Sequence, residues 1–210
     1  LKKHDILLVV DEVITGFGRL GSMFGADHYG LEPDLMTIAK GLTSAYAPLS
    51  GSIVGERMWK VLEQGTDEFG PIGHGWTYSA HPIGAAAGVA NLKLLDRLDL
   101  VTNAAEVGAY LNAQMKAALG DHPNVGDIRG EGMLCAVDLV EDRADRKFFD
   151  PAKKIGAQVA AKMLEQDKVI GRAMPQADML GFAPPFCLTR AEADMIVAAA
   201  DRAVRAVLPG

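Results

Sequence analysis

Ile6-Leu7-Leu8-Val9-Val10-Asp11 is a run of five apolar residues closed by an acid. A continuous apolar run of this kind is typical of a strand buried on both faces, as in the parallel sheet of an α/β protein. Two further strands are predicted at 34–39 and 49–54, because each stretch is short, apolar and followed by a turn-forming glycine. Open α/β sheets bind ligands at the carboxyl ends of their strands, so Asp11 marks a candidate site.

From residue 83 onward the apolar residues repeat with helical spacing, and helices then alternate with strands. Helices are predicted over 83–98, 101–119 and 150–166, strands over 133–140 and 179–182, and a last helix after the capping box Thr189-Arg190-Ala191-Glu192. The segment from Gly65 to Gly75 contains four glycines and Pro71, which predicts a loop. We place the boundary near residue 98, with a parallel-sheet portion over 1–98 and an α+β portion over 99–210.

The composition argues against several classes of protein. With 21 Lys and Arg against 27 Asp and Glu, the net charge is −6, the wrong sign for a domain that binds nucleic acid. No apolar run approaches the roughly 18 residues of a membrane helix, so no membrane contact is expected. Cys135 and Cys187 lie far apart without a nearby partner, which argues against a disulfide framework and favours the cytoplasm. Because the chain opens at Leu1 and enters a strand almost directly, we expect a piece of a longer protein.

A glycine motif raises one alternative function. Gly16-Phe17-Gly18-Arg19-Leu20-Gly21 matches the G-x-G-x-x-G pattern, and Asp34 lies roughly where a ribose-binding acid would, as in an NAD-linked dehydrogenase. In that fold the glycines join a strand directly to a helix. Here residues 12–15 intervene after Asp11, and Gly25, Gly30 and Pro33 interrupt any following helix. A glycine-rich turn is the favoured interpretation.

A lysine and an acid end two neighbouring predicted strands. Lys40 follows the second strand in Ala39-Lys40-Gly41, where small neighbours and partial desolvation would free its amine to attack carbonyls. Asp11 ends the first strand, where an unpaired buried carboxylate would be costly, and a protonated pyridine nitrogen is one partner that resolves this cost. An acid at a strand end and a solvated lysine are the ordinary alternatives. Together, however, the two residues form the pairing that a pyridoxal-phosphate site requires.

Three motifs, in order along the chain, resemble class III pyridoxal-phosphate aminotransferases. They are Asp11-Glu12-Val13-Ile14-Thr15-Gly16-Phe17-Gly18-Arg19, then Ala39-Lys40-Gly41, then His74-Gly75-Trp76-Thr77-Tyr78-Ser79-Ala80-His81-Pro82. The resemblance continues through 129–133 and 184–185 and covers essentially the whole chain. It implies a fold-type I transferase, with residues 1–98 as the end of the large, mostly parallel-sheet domain and 99–210 as the small α+β C-terminal domain. The sequence at residues 77–82 resembles that of the omega-amino acid and amine:pyruvate transaminases.

The resemblance also implies roles for particular residues. Asp11 would keep the pyridinium nitrogen protonated, and Val13 would pack on the ring face. Lys40 would hold the cofactor as a Schiff base and then move the proton as general base and acid. Thr77 would bind the cofactor phosphate of the neighbouring subunit, and Trp76 would line that subunit's substrate pocket. These last two roles imply a homodimer with shared active sites.

Arg172 lies where family members carry a mobile arginine. Its guanidinium would bind the carboxylate of pyruvate with two hydrogen bonds, although a solvated surface arginine is an equal alternative. The turn beyond it has Ala177 where the glycine of a tight turn is expected. His74 and His81 have no third ligand nearby, so no metal site is predicted.

The implied reaction is ping-pong transfer of an amino group from an amine or omega-amino acid to pyruvate. A 4-aminobutyrate-type enzyme that uses 2-oxoglutarate is the nearest alternative. An NAD-linked dehydrogenase and a non-catalytic binding module rank lower. The binding module stays open because the family's upstream Gly-Ser phosphate turn and ring-stacking aromatic are not found before Asp11.

Overall fold

The computed structural model describes residues 1–175 and 178–209, which form two compact units, Leu1–Val101 and Thr102–Gly210. In the first unit the strands and helices are β1 (Val9–Asp11), α1 (Gly25–His28), β2 (Leu35–Ile38), β3 (Gly51–Val54), α2 (Glu56–Phe69) and α3 (Pro82–Arg97). The chain then continues through α4 (Leu100–Leu119), β4 (Val125–Glu131), β5 (Leu134–Leu139), α5 (Ile155–Asp167), β6 (Arg172–Ala173), β7 (Met179–Phe182) and α6 (Arg190–Val207). Each unit is described by itself below.

The sheet of the first unit has three strands in the order β1-β2-β3. β1 and β2 run parallel, with Asp11 opposite Thr37, whereas β2 and β3 run antiparallel. The predicted strands at 34–39 and 49–54 are therefore confirmed, and the first strand is shifted to Val9–Asp11. The parallel pairing matters for the site because it brings the carboxyl ends of β1 and β2 to the same edge.

The burial of β1 differs from the prediction. Ile6 is 51% exposed and Val9 is 59% exposed, so this strand is not buried on both faces within the described residues. The cause is that β1 pairs with β2 along one edge, and little of the described chain covers its faces. An apolar run shows that a strand is suited to apolar contacts on both faces. In β1, much of this apolar surface is exposed within the described residues.

α2 overturns the prediction of a loop from Gly65 onward. The helix continues through Gly65 to Phe69, where the hydroxyl of Thr66 donates to the carbonyl of Leu62 at 2.9 Å. It ends at Gly70, whose φ of +84° suits glycine and whose N–H donates to the carbonyl of Thr66. Gly65 weakens the helix but does not stop it, so the loop begins only after Phe69.

The second unit packs its helices on an antiparallel sheet with the order β4-β5-β7-β6. α4, α5 and α6 contribute fully buried side chains to one continuous core, among them Leu111, Met115, Val159, Met163 and Val204. The predicted capping box is confirmed: Glu192 N–H donates to Thr189 Oγ1, and Thr189 N–H donates to Glu192 Oε2 at 2.8 Å. β4 was not predicted. None of the described helices has the length and apolarity needed to cross a membrane.

Candidate active site

Asp11 lies at the carboxyl end of β1 with its side chain fixed by two donors. Its Oδ1 accepts the backbone N–H of Val13 and the hydroxyl of Thr37, each at 3.0 Å. The Val13 N–H, the Thr37 hydroxyl and the positive charge of Lys40 together lower the pKa of the Asp11 carboxyl below its usual value, with Val13 the largest cause. Asp11 is therefore an ionised acid at neutral pH, held at the strand end with its carboxylate at the surface of this unit.

Lys40 follows β2 and begins a short 3₁₀ turn, Lys40–Leu42. Its φ is +39°, in the left-handed region that side chains with a Cβ avoid, and Ser44 and Ala45 in the same loop also have positive φ. Strained backbone of this kind persists only where the surrounding structure holds it, and it is concentrated at functional sites. The Lys40 side chain is exposed in this unit, so the predicted partial desolvation is wrong for the described residues, which leave its amine open.

Glu12 is a buried acid that the sequence analysis did not assign. It is 0% exposed and follows Asp11 directly. Its carboxylate accepts the N–H groups of Gly25 at 2.9 Å and Ala26 at 2.6 Å, together with the hydroxyl of Thr15. These bonds satisfy a carboxylate that would otherwise be costly to bury, and they tie the loop after β1 to the start of α1. The available signal was a second acid next to the first at the end of an apolar strand.

The glycine motif lies within this loop and forms turns. Gly16 N–H donates to the Glu12 carbonyl at 2.9 Å, and a Cβ on Gly16 would lie 2.8 Å from that oxygen. The nearest following helix is α1, only four residues long and four residues beyond Gly21. The direct strand-to-helix connection of a dinucleotide site is therefore missing, and the interpretation as a glycine-rich turn is confirmed.

The loop that carries Lys40 is bound to α3 through Asn91. Asn91 Nδ2 donates to the carbonyls of Gly41 at 2.7 Å and Leu42 at 3.2 Å, and Asn91 Oδ1 accepts the hydroxyl of Ser44 at 2.8 Å. No role was predicted for Asn91 from the sequence, where it is one polar residue of a predicted helix. Its spacing from Gly84 and Gly88 was the available signal, because positions i, i+4 and i+7 share one helix face.

Thr77 and Trp76 lie in the exposed segment before α3. Trp76 is 76% exposed, its backbone N–H donates to Ser79 Oγ at 3.1 Å, and its ring contacts that of His74 edge-on. Thr77 is also exposed and begins a turn. Neither residue has a described hydrogen bond or ring contact with Asp11 or Lys40, so the first unit brings Asp11, Val13 and Lys40 together but not these two.

Arg172 and His81 also lie outside the group formed by Asp11, Val13 and Lys40. Arg172 is an exposed residue of β6 in the second unit, paired in register with Gly181, and the Gln176 and Ala177 positions of its turn lie outside the described residues. His81 has a local role, since its Nδ1 accepts the Ile83 N–H at 3.3 Å at the start of α3. Among residues 1–175 and 178–209 no three His, Cys, Asp or Glu side chains are grouped to hold a metal ion.

Comparison with known proteins resolves the family. The Aminotransferase class-III family model matches residues 1–204. The chain belongs to the class-III aminotransferases. This confirms the resemblance of the three motifs and the fold-type I transferase fold. A diaminobutyrate–2-oxoglutarate transaminase of Halomonas elongata is 61% identical over 99% of this chain, which spans 44% of that protein. A putrescine–pyruvate aminotransferase of Pseudomonas aeruginosa is 38% identical over 99% of this chain and 45% of its own length.

A solved structure supports the same family. A transaminase structure from directed evolution by ancestral reconstruction has a TM-score of 0.97 and 60% identity, and it covers 100% of this chain and 46% of that chain. The chain therefore spans less than half the length of the proteins it matches.

Class-III aminotransferases use pyridoxal phosphate, and the residues present fit that cofactor. Its ring nitrogen needs an ionised acid, and its aldehyde needs an amine. Asp11 is held ionised by Val13 and Thr37, and Lys40 presents an exposed amine close enough for its charge to act on Asp11. The two groups follow adjacent parallel strands at one sheet edge, which is where open α/β sheets bind their ligands.

Proposed function

We propose that the protein transfers an amino group from an amine or omega-amino acid to a 2-oxo acid by ping-pong chemistry with pyridoxal phosphate. The main supporting observation is that the ionised Asp11 and Lys40 follow the adjacent parallel strands β1 and β2 at one edge of the sheet. Residues 1–98 would supply the end of the large cofactor domain, and residues 99–210 the small C-terminal domain; the two compact units Leu1–Val101 and Thr102–Gly210 support this division.

The roles of the residues follow from their positions. When bound, the cofactor supplies an electron sink for the substrate carbon. Asp11, fixed by Val13 and Thr37, would bind the ring N–H and keep that nitrogen protonated. The half-buried side chain of Val13 would pack on the ring face. Lys40 Nζ would hold the cofactor, and after release it would take the proton from the substrate carbon as general base and deliver it to the cofactor carbon C4′ as general acid.

For the acceptor we propose pyruvate, with Arg172 binding its carboxylate. Arg172 is exposed, and one guanidinium matches the single carboxylate of pyruvate. The relative from Pseudomonas aeruginosa is named for pyruvate and supports this choice. The 61% identical relative from Halomonas elongata is named for 2-oxoglutarate, so this dicarboxylate is the second candidate.

A homodimer with shared sites is also part of the proposal. The exposed Thr77 and Trp76 are free to reach a second copy, where Thr77 would bind the cofactor phosphate and Trp76 would line the substrate pocket. Cys135 and Cys187 are both free thiols, which fits a reducing compartment such as the cytoplasm.

An acceptor comparison tests the proposed function. Amino transfer from one amine donor is measured with pyruvate and with 2-oxoglutarate, using the protein made from its complete reading frame. We expect a higher kcat/KM with pyruvate. In Arg172→Ala, the KM for pyruvate should rise about 10- to 100-fold, because a charged pair is lost, while Arg146→Ala in the same unit should leave it unchanged. A preference for 2-oxoglutarate would favour the second candidate, and no transfer to either acceptor would overturn the proposal.

A further inference from the structure

We propose that Asn91 is a positioning residue for Lys40. This inference rests on the proposed function, in which Lys40 is the reacting amine. Three hydrogen bonds carry it: Asn91 donates to the carbonyls of Gly41 and Leu42 and accepts from the hydroxyl of Ser44. All three partners lie within residues 41–44, the turn and loop that immediately follow Lys40. One side chain on α3 therefore fixes the backbone that orients the lysine.

The turn needs such an anchor because its backbone is strained. Lys40, Ser44 and Ala45 have φ values of +39°, +49° and +62°, although none of them is glycine. L-residues leave this region unless the surrounding structure holds them there. Within the turn, the Thr43 N–H donates to the Lys40 carbonyl at 3.2 Å, but this local bond leaves the Gly41 and Leu42 carbonyls to Asn91. Without Asn91, Lys40 is free to relax toward a negative φ, which would swing Nζ away from Asp11.

The face of α3 around Asn91 is shaped to receive this loop. Gly84 and Gly88 lie on the same face as Asn91, at positions i, i+4 and i+7. A Cβ on Gly84 would lie 3.0 Å from the Pro48 carbonyl, and one on Gly88 would lie 3.3 Å from Leu49 Cδ2. The glycines thus let helix and loop approach closely, and this close approach brings the short Asn91 side chain within reach of the turn.

A structural role alone would lower stability, whereas a positioning role must also change the behaviour of Lys40. The test compares Asn91→Ala and Asn91→Asp with Asn103→Ala. Asn91→Asp keeps the shape but replaces the two donated hydrogens with charge. Asn103 is a matched control, because its Nδ2 also bridges two backbone carbonyls, those of Phe186 at 2.5 Å and Leu188 at 3.0 Å, but in the second unit.

Thermal unfolding is recorded for each variant, and two further sets of measurements report on Lys40 and the loop that follows it. The first is amide hydrogen exchange over residues 40–46 in the cofactor-free protein, which should become about tenfold faster in both Asn91 variants. The second is the pH midpoint of the visible absorbance of the bound cofactor, together with kcat and KM. We expect a shifted midpoint and a kcat reduced about 10- to 100-fold with little change in KM, because a misplaced reacting group slows the chemical step. Asn103→Ala should lower the thermal midpoint similarly and leave exchange over 40–46 and the absorbance unchanged.

The outcomes separate the inference from the proposed function. Unchanged exchange over 40–46, or an unchanged pH midpoint with a merely lower thermal midpoint, would overturn the positioning role while leaving the transaminase proposal intact. Absence of cofactor absorbance in the unmodified, folded protein would overturn the proposed function and, with it, this inference.

Discussion

The first unit holds its candidate site with hydrogen bonds, whereas the second is held by a continuous apolar core. In the first unit α2 has no buried residue, and buried polar groups such as Glu12 and Thr43 anchor the loops next to the sheet. In the second, α4 alone buries seven residues, and one core cluster extends from Ala104 to Leu208. Substitution of the exposed Lys40 at the sheet edge of the first unit should therefore act mainly on chemistry, and substitutions in the apolar core of the second unit mainly on stability.

The largest expected effect is the loss of Lys40. Lys40→Ala should reduce amino transfer by at least about 10⁴-fold, because it removes both the covalent anchor and the general base. Thermal unfolding should barely change, since the side chain is exposed. Steady-state rates and unfolding curves check this, with Lys60→Ala on α2 as the control. If Lys40→Ala still transferred the amino group, the reacting amine would not be Lys40 of the first unit.

The next largest effect concerns the two helices. Leu111→Ala on α4 should lower the free energy of unfolding by about 2–5 kcal/mol, because it leaves a cavity in the core. Val61→Ala on α2 should stay within about 0.5 kcal/mol, because that side chain is largely exposed. Urea unfolding of both variants measures the difference. Equal costs would show that α2 packs against something beyond the described residues, and the contrast between the units would fail.

A smaller effect is expected at the buried acid of the first unit. Glu12→Gln removes the charge that accepts from Gly25, Ala26 and Thr15, which should cost about 1–3 kcal/mol. Exposed Glu56, paired with Lys60 on α2, is the matched control, and Glu56→Gln should cost less than about 0.5 kcal/mol. Equilibrium unfolding provides both values. A neutral Glu12→Gln would show that the loop after β1 does not depend on this anchor.

The smallest effect is a pH dependence in the second unit. Burial lowers the pKa of His122 below its model-peptide value of 6.5. The charge of Arg205 lowers this pKa further, and Nδ1 accepts the Asn124 N–H, which requires an unprotonated Nδ1; the contact of Nε2 with the Leu208 carbonyl at 3.1 Å acts in the opposite direction but is the smaller effect. The unfolded state binds the proton more readily, so stability should fall as the pH drops below about 6.5.

His122→Gln removes this titration. Unfolding measured between pH 7 and pH 5 should show a shallower loss of stability in His122→Gln than in the unmodified protein, while His4→Gln, at an exposed position, keeps the original slope. Identical slopes in all three proteins would contradict the assignment to His122.

Local signals in the sequence predicted much of this fold. The capping box at Thr189 involves residues only three positions apart, so the start of α6 follows from the sequence itself. β7 matches the predicted 179–182, a short and mostly apolar stretch. Asp11 and Lys40 were recognisable because each stands at the end of an apolar strand.

Features that depend on distant contacts were missed. β4 contains Gly130, where a Cβ would meet the Asn112 side chain of α4 at 2.1 Å, so its glycine reflects a close approach that the sequence alone does not show. The role of Asn91 likewise depends on its hydrogen bond to the carbonyl of Gly41, fifty positions earlier in the chain. The end of α2 was missed for a local reason: Gly65 was taken as the start of a loop, whereas the helix tolerates this glycine and continues to Phe69.

Trapping of Lys40 tests the central claim most directly. The protein made from its complete reading frame is incubated with pyridoxal phosphate, reduced with borohydride and digested for peptide mapping, with Lys40→Arg treated in parallel. We expect a phosphopyridoxyl group on Lys40 that is absent in Lys40→Arg. A folded protein that is unlabelled at Lys40, or labelled equally in the variant, would contradict it.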